Sequence, residues 1–209
     1  QNTFGLTRST AGNLVLSFAL MNIFARTLGG FFGDRFGRLK GLRGRVLFLT
    51  VILALEGAML SVFSLTTSFA MGIIFLIAFS ITVQMAEGAT FSVVPFINKK
   101  AIGSISGIVG AGGNVGAFLA ALLLKSKSSL AETNALASNA NLGEEAMKAA
   151  QAAAASGAVS SGYFIIGGFV VVTALTTLAI KFSTEDEKQV KEELNTVNKP
   201  VIDLSPSSI

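Results

Sequence analysis

Five blocks of apolar and small residues dominate the chain, each about as long as a membrane-spanning helix. They cover residues 11–33, 46–67, 69–96, 102–125 and 162–182. A spanning helix needs about 17–25 mainly apolar residues, so the pattern predicts an all-α polytopic membrane protein with five transmembrane helices. The first block is too long, and lacks the basic start, for a removable signal peptide. An odd number of spans in a chain that opens on Gln1 predicts a segment of a larger protein.

The polar segments between these blocks predict an orientation. Residues 34–45 carry five basic side chains against the single acid Asp34, and the positive-inside rule places such a loop in the cytoplasm. Alternation of the spans then makes residues 126–161 an external loop and residues 183–209 a cytoplasmic tail.

Composition supports a membrane protein and leaves little room for catalysis. The chain is 51% hydrophobic and 13% charged, where soluble domains average about 25% charged residues. It has no Cys and no His, which removes disulfides, thiol catalysis and the commonest metal ligands. We therefore predict no enzyme activity, no metal and no cofactor. The net charge of +4 comes largely from basic residues beside the spans, so it indicates topology in a lipid bilayer and no nucleic-acid binding.

Arg26 is the one charged residue in the first block. Placing arginine at the centre of a membrane helix costs at least about 2.5 kcal/mol, so such residues usually face a bundle interior or a wet cavity and mark a substrate path. Asn22 lies four residues earlier, on the same helical face. The planar guanidinium fork matches flat oxyanions, so the pair predicts an anion site. The alternatives are that Arg26 reaches the membrane interface or pairs with an acid.

The first block ends in closely spaced glycines and a recognisable loop motif. Gly29 and Gly33 form a small-xxx-small pair that permits close helix approach. The segment GFFGDRFGR at 30–38 resembles the G-x-x-x-D-R-x-G-R loop of the major facilitator superfamily. The resemblance implies a cytoplasmic latch that changes between transport states, formed by Gly30, Asp34, Arg35, Gly37 and Arg38. The alternative is a basic loop that only fixes topology.

The fourth block is unusually rich in glycine, with the sequence GSISGIVGAGGNVGA at 103–117. Each internal glycine costs a helix about 1 kcal/mol in water, but in a membrane glycines let helices approach closely. The central amide of Asn114 needs a polar partner there. A dinucleotide-binding loop is excluded because Val115 stands at the position of its last glycine and no strand precedes the run.

Three segments resemble the nitrate/nitrite porter family of the major facilitator superfamily, especially the high-affinity nitrate transporters of plants and algae. They are FARTLGG at 24–30, AEGATFSVVPF at 86–96 and the glycine-rich run at 103–117. The resemblance implies helices eight to twelve of a twelve-helix plasma-membrane transporter of nitrate and nitrite, working by alternating access. Uptake of an anion into a negative cell needs a coupled cation or exchange, and we predict a proton symporter. It also implies that Arg26 is one of two arginines flanking nitrate, the second lying outside this chain. The signature helix would line or close the path with Gly110, Gly112, Gly113, Asn114 and Gly116.

Two positions depart from the family's pattern, which often has proline where Thr27 stands and a small residue where Glu87 stands. Glu87 and Glu56 are carboxylates inside predicted spans, and such groups can carry protons. The alternative is that each packs against a polar partner. Two other functions stay open: a major facilitator transporter of another anion, and a transporter-like nitrate sensor. The sequence does not identify an accessory subunit.

Overall fold

The computed structural model describes residues 8–185, 187, 188, 190 and 192, and nearly all of them are helical. The all-α class is confirmed. Most of the predicted tail, 183–209, lies outside the described residues. The four long helices are α1 (Arg8–Ser64), α2 (Phe69–Val93), α3 (Ile102–Ser138) and α4 (Glu144–Thr177), with short 3-10 turns at Val94–Phe96 and Lys99–Ala101.

Helix α1 folds back on itself at Gly41. This glycine has φ 66° and ψ −153°, a conformation that glycine adopts without the steric cost of a Cβ. The rings of Phe36 and Phe48 stack with centroids 5.4 Å apart, whereas twelve residues of straight helix would separate them by about 18 Å. Gly41 therefore divides α1 into a first arm, 8–40, and a second arm, 42–64.

The number of spans differs from the prediction. By length and composition, four described helical segments could cross a membrane: Ile23–Ser64, Phe69–Phe96, Ile102–Ser138 and Glu144–Thr177. The prediction of five transmembrane helices was wrong in this count, because residues 34–45 continue the helix on both sides of Gly41 instead of forming a loop. Arg, Lys and Leu are good helix formers. The predicted spans 11–33 and 46–67 fall on the two arms of α1.

The core lies between the second arm of α1 and the C-terminal half of α2. Its buried cluster consists of Val46, Leu49, Ile52, Ala86, Ala89 and Val93. Helix α4 also packs against the second arm, where Gly57 and Gly167 meet so closely that a Cβ at Gly167 would lie 2.7 Å from the carbonyl oxygen of Gly57. About two turns earlier along the second arm, the hydroxyls of Thr50 and Thr177 hydrogen bond at 2.6 Å and join it to the C-terminal end of α4.

Most of the segment predicted as an external loop, 126–161, is helical. Helix α3 continues to Ser138 and α4 begins at Glu144. The alanine-rich stretch 149–158 has high helix propensity, and Glu144 and Glu145 lie in the first turn of α4, where carboxylates interact favourably with the helix dipole. The side of the membrane on which this segment lies stays a prediction.

Candidate functional site

Arg26 of the first arm forms an ion pair with Glu87 of α2. About half of the Arg26 side chain (51%) and two fifths of the Glu87 side chain (41%) are exposed. Pairing with an acid was one of the alternatives for Arg26, and the structure has this pair. Both side chains are therefore only partly covered by the described part of the chain.

Glycines bring the two helices together at this pair. A Cβ at Gly29 would overlap the backbone of Met85, and a Cβ at Gly88 would overlap the carbonyl oxygen of Arg26. One turn further on, a Cβ at Gly33 would lie 3.0 Å from Cβ of Ser92. The predicted close approach through Gly29 and Gly33 is confirmed, and it holds the Arg26 backbone against the residue that follows Glu87.

Two clefts share Arg26 and Thr27 in their lining. The smaller, about 300 Å³, is lined by Ile23, Arg26, Thr27, Gln84 and Glu87. The larger, about 550 Å³, also contains Arg26 and extends along α1 and α2 to Asp34, Arg45 and Phe96. Where the family often has proline, the Thr27 hydroxyl donates to the Ile23 carbonyl oxygen at 3.0 Å. The arrangement can offer one guanidinium to a small anion.

The far end of the larger cleft is held by Arg45, whose side chain is 8% exposed. Arg45 pairs with Asp34, donates to the Ser92 carbonyl oxygen at 3.1 Å and lies 4.6 Å from the Phe96 ring centroid. It therefore ties both arms of α1 to the end of α2 and the turn that follows.

The loop motif is only partly assembled around this contact. Asp34 pairs with Arg45, and Gly37 makes room for the Arg45 side chain, since a Cβ there would lie 2.9 Å from its Cγ. Arg35 and Arg38 are exposed, and in the described part of the chain neither forms an ion pair. A Cβ at Gly30 would lie 3.9 Å from the carbonyl oxygen of Gly88, which is an ordinary van der Waals distance. The role of the motif as a latch stays a prediction.

Sequence reasoning missed Arg45, which it counted only among the basic residues that set topology. Its partners lie 11 and 47 residues away, so their contact depends on the fold-back at Gly41. The one local signal is that Arg45 directly precedes the second apolar block.

We expect Arg45→Ala to destabilise the fold by about 1.5–3 kcal/mol, the usual contribution of hydrogen bonds to a charged group. The measurement is the thermal unfolding of purified protein in detergent. Arg43→Ala is the matched control, because Arg43 is an exposed neighbour. Equal unfolding temperatures for the two variants would show that the contacts of Arg45 do not stabilise the fold by this amount.

The predicted signature helix lies apart from Arg26. In the described part of the chain, a Cβ built on any of its glycines would meet no atom within 4 Å apart from the backbone of the surrounding helix turns; these glycines are Gly110, Gly112, Gly113 and Gly116. Asn114 is exposed, and none of the residues of α3 is buried. Within the described chain these residues contact neither cleft, so their role in substrate binding stays a prediction.

Two more predicted residues remain outside the assembled site. Glu56 lies on the second arm, next to Gly57, and lines neither of the two clefts. Asn22 belongs to the first arm, but its side chain lies outside the described part of the structure. Their proposed roles are untested.

Comparison with known proteins shows that the chain is similar to nitrate transporters. The chain is 42% identical over 120 residues to High affinity nitrate transporter 2.5 of Arabidopsis thaliana, covering 57% of the chain and 24% of that protein. It is 42% identical over 115 residues to Nitrate transporter 2.1 of Chlamydomonas reinhardtii, covering 54% and 21%. It is 33% identical over 184 residues to the Nitrate/nitrite transporter NrtP of a Picosynechococcus species, covering 87% and 30%. The chain is a relative of these nitrate transporters.

This relationship confirms the resemblance to the nitrate/nitrite porter family. The chain spans about a quarter of the length of the curated relatives it matches. Those relatives are named as transporters and not as enzymes, in agreement with the prediction of no enzyme activity. No protein-family model matches the chain, and no solved structure is significantly similar to it.

Proposed function

We propose that this chain is part of a transporter that carries nitrate, and also nitrite, across a membrane by alternating access, with Arg26 as an anion-binding residue. The observation that supports this most directly is the half-exposed guanidinium of Arg26, a residue that lines two clefts. It lies in a chain related to nitrate and nitrate/nitrite transporters. Guanidinium donors suit a planar oxyanion, and in alternating access the two halves of a transporter rock about a central site.

The proposed transporter also contains helices outside this chain. The described helices would belong to the region of helices eight to twelve in a twelve-helix transporter. The second substrate arginine would come from residues outside the chain. The exposed glycine face of α3 has room for a closely packed helix, which supports its proposed place along the path, with Asn114 and Asn22 offering amides.

Energetics favour coupling of the anion to a cation. Bringing one negative charge into a cell at −100 mV costs about 2.3 kcal/mol, so accumulation needs a coupled cation, for which we propose H⁺. Glu87 and Glu56 are the proposed carriers. We also propose a plasma-membrane location with the C-terminal tail in the cytoplasm.

Uptake into proteoliposomes that contain the full-length protein tests the function. With an inward proton gradient, we expect saturable accumulation of labelled nitrate, competition by nitrite and no competition by carboxylates. Empty liposomes serve as the control. Saturable uptake of a different anion would replace the proposal with another transport function, and nitrate binding without accumulation would indicate a sensor.

A further inference from the structure

We propose that Glu87 is the counter-ion of Arg26. When no substrate is bound, the Glu87 carboxylate occupies the guanidinium of Arg26; when Glu87 takes up a proton, the guanidinium becomes free to bind the anion. This inference rests on the proposed function, because it assumes that Arg26 receives the transported anion. It adds a specific linkage: the anion and the proton bind together at one ion pair.

The guanidinium of Arg26 already has an anionic partner in the structure. The Glu87 carboxylate already pairs with the Arg26 guanidinium, and a carboxylate is a flat oxyanion of the kind that this fork binds. A substrate anion therefore meets an occupied binding partner. It must displace Glu87 or share the guanidinium with it.

The charges around Glu87 favour its displacement by the anion over sharing of the guanidinium. From α1, the charged group facing Glu87 is Arg26, and the neighbour on its own helix in the smaller cleft, Gln84, is neutral. The other charges of the larger cleft, Asp34 and Arg45, pair with each other. The Arg26–Glu87 pair is thus neutral as a unit, and a second anion beside it would repel the carboxylate. Like charges sharing a site favour protonation of one of them.

Protonation balances the step. Glu87 takes one proton on a carboxylate oxygen and becomes neutral, Arg26 keeps its positive charge, and the arriving anion restores a net charge of zero. The partial exposure of both side chains to the clefts gives the proton and the anion access from water. The complex then carries one proton per anion and no net charge, so any net inward positive charge must be carried by another group.

Linked binding of the anion and the proton would make the nitrate affinity depend on pH. If anion and proton bind together, each raises the affinity for the other by the same factor, whereas an ion pair that only holds α1 against α2 produces no such linkage. The experiment measures the nitrate Kd of the purified full-length protein between pH 5.5 and pH 8, in wild type, Glu87→Gln and Glu87→Asp. As the pH increases, we expect the nitrate Kd of the wild type to rise by up to about tenfold per pH unit for one linked proton.

The variants separate charge from structure. Glu87→Gln mimics the protonated acid, so we expect nitrate binding whose Kd does not change with pH, and proteoliposomes that exchange nitrate but no longer accumulate it in response to a proton gradient. Glu87→Asp keeps the carboxylate and should keep the pH dependence. Loss of nitrate binding in Glu87→Gln with an intact fold would overturn the inference.

A measurement on the wild type covers the case in which Glu87→Gln does not fold. Nitrate added to the protein in weak buffer, at a pH where Glu87 is ionised, should cause uptake of close to one proton per nitrate bound, read with an indicator dye. Binding without proton uptake would overturn this inference alone. Absence of nitrate binding at every pH would instead overturn the proposed function.

Discussion

Replacing Arg26 with lysine in the full-length protein is expected to abolish saturable nitrate uptake at limiting nitrate while the protein still reaches the membrane. Lysine keeps the charge but replaces the planar fork with a point charge. Losing one charge-assisted hydrogen bond of about 1.5–3 kcal/mol corresponds to an affinity loss of about 10- to 150-fold. Initial rates of labelled nitrate uptake, divided by the amount of protein at the cell surface, provide the measurement.

Arg43→Lys is the matched control for this experiment. Arg43 is exposed beyond the fold-back at Gly41 and lines neither of the two clefts, so the same chemical change there should leave uptake intact. If Arg26→Lys transported nitrate with unchanged affinity and rate, Arg26 would not be the anion-binding residue. The ion pair with Glu87 would then be a contact that only joins α1 to α2.

Adding one methyl group at Gly88 is expected to have the second large effect. In Gly88→Ala the new Cβ would overlap the carbonyl oxygen of Arg26 and lie 2.8 Å from the backbone nitrogen of Gly30. Backbone atoms cannot rotate away as a side chain can, so α1 and α2 must separate. Overpacking of this kind costs about 1–3 kcal/mol. We expect a lower unfolding temperature in detergent and a loss of nitrate uptake, because the shift displaces Arg26 from Glu87.

The control is the same substitution at a glycine that has space around it. A Cβ at Gly168 of α4 meets no atom within 4 Å in the described structure, so Gly168→Ala should unfold at the wild-type temperature and transport at the wild-type rate. Equal stability and uptake for Gly88→Ala and wild type would show that α1 and α2 do not need this close approach.

The helical class and the glycine contact of the site could be predicted from local sequence. Apolar runs report helix length against bilayer thickness, and the spacing of Gly29 and Gly33 predicts close packing without knowledge of the partner. The boundaries were less predictable. A break was expected across residues 34–45, but a single glycine with positive φ makes the reversal, and residues on both sides have enough helix propensity to continue the helix.

The sequence by itself determined that Arg26 is a costly charge in an apolar run, and it left open whether this charge binds an anion, reaches the membrane interface or pairs with an acid. It also determined the relationship to nitrate transporters, since residue order carries that information. Only the tertiary structure decided that the partner is Glu87, that Asp34 is held by Arg45, and that the glycine face of α3 is open. The physical reason is that hydropathy and helix propensity act between near neighbours in the chain. Ion pairs and close contacts join residues on different helices, whose meeting depends on the fold-back at Gly41 and on how the helices pack.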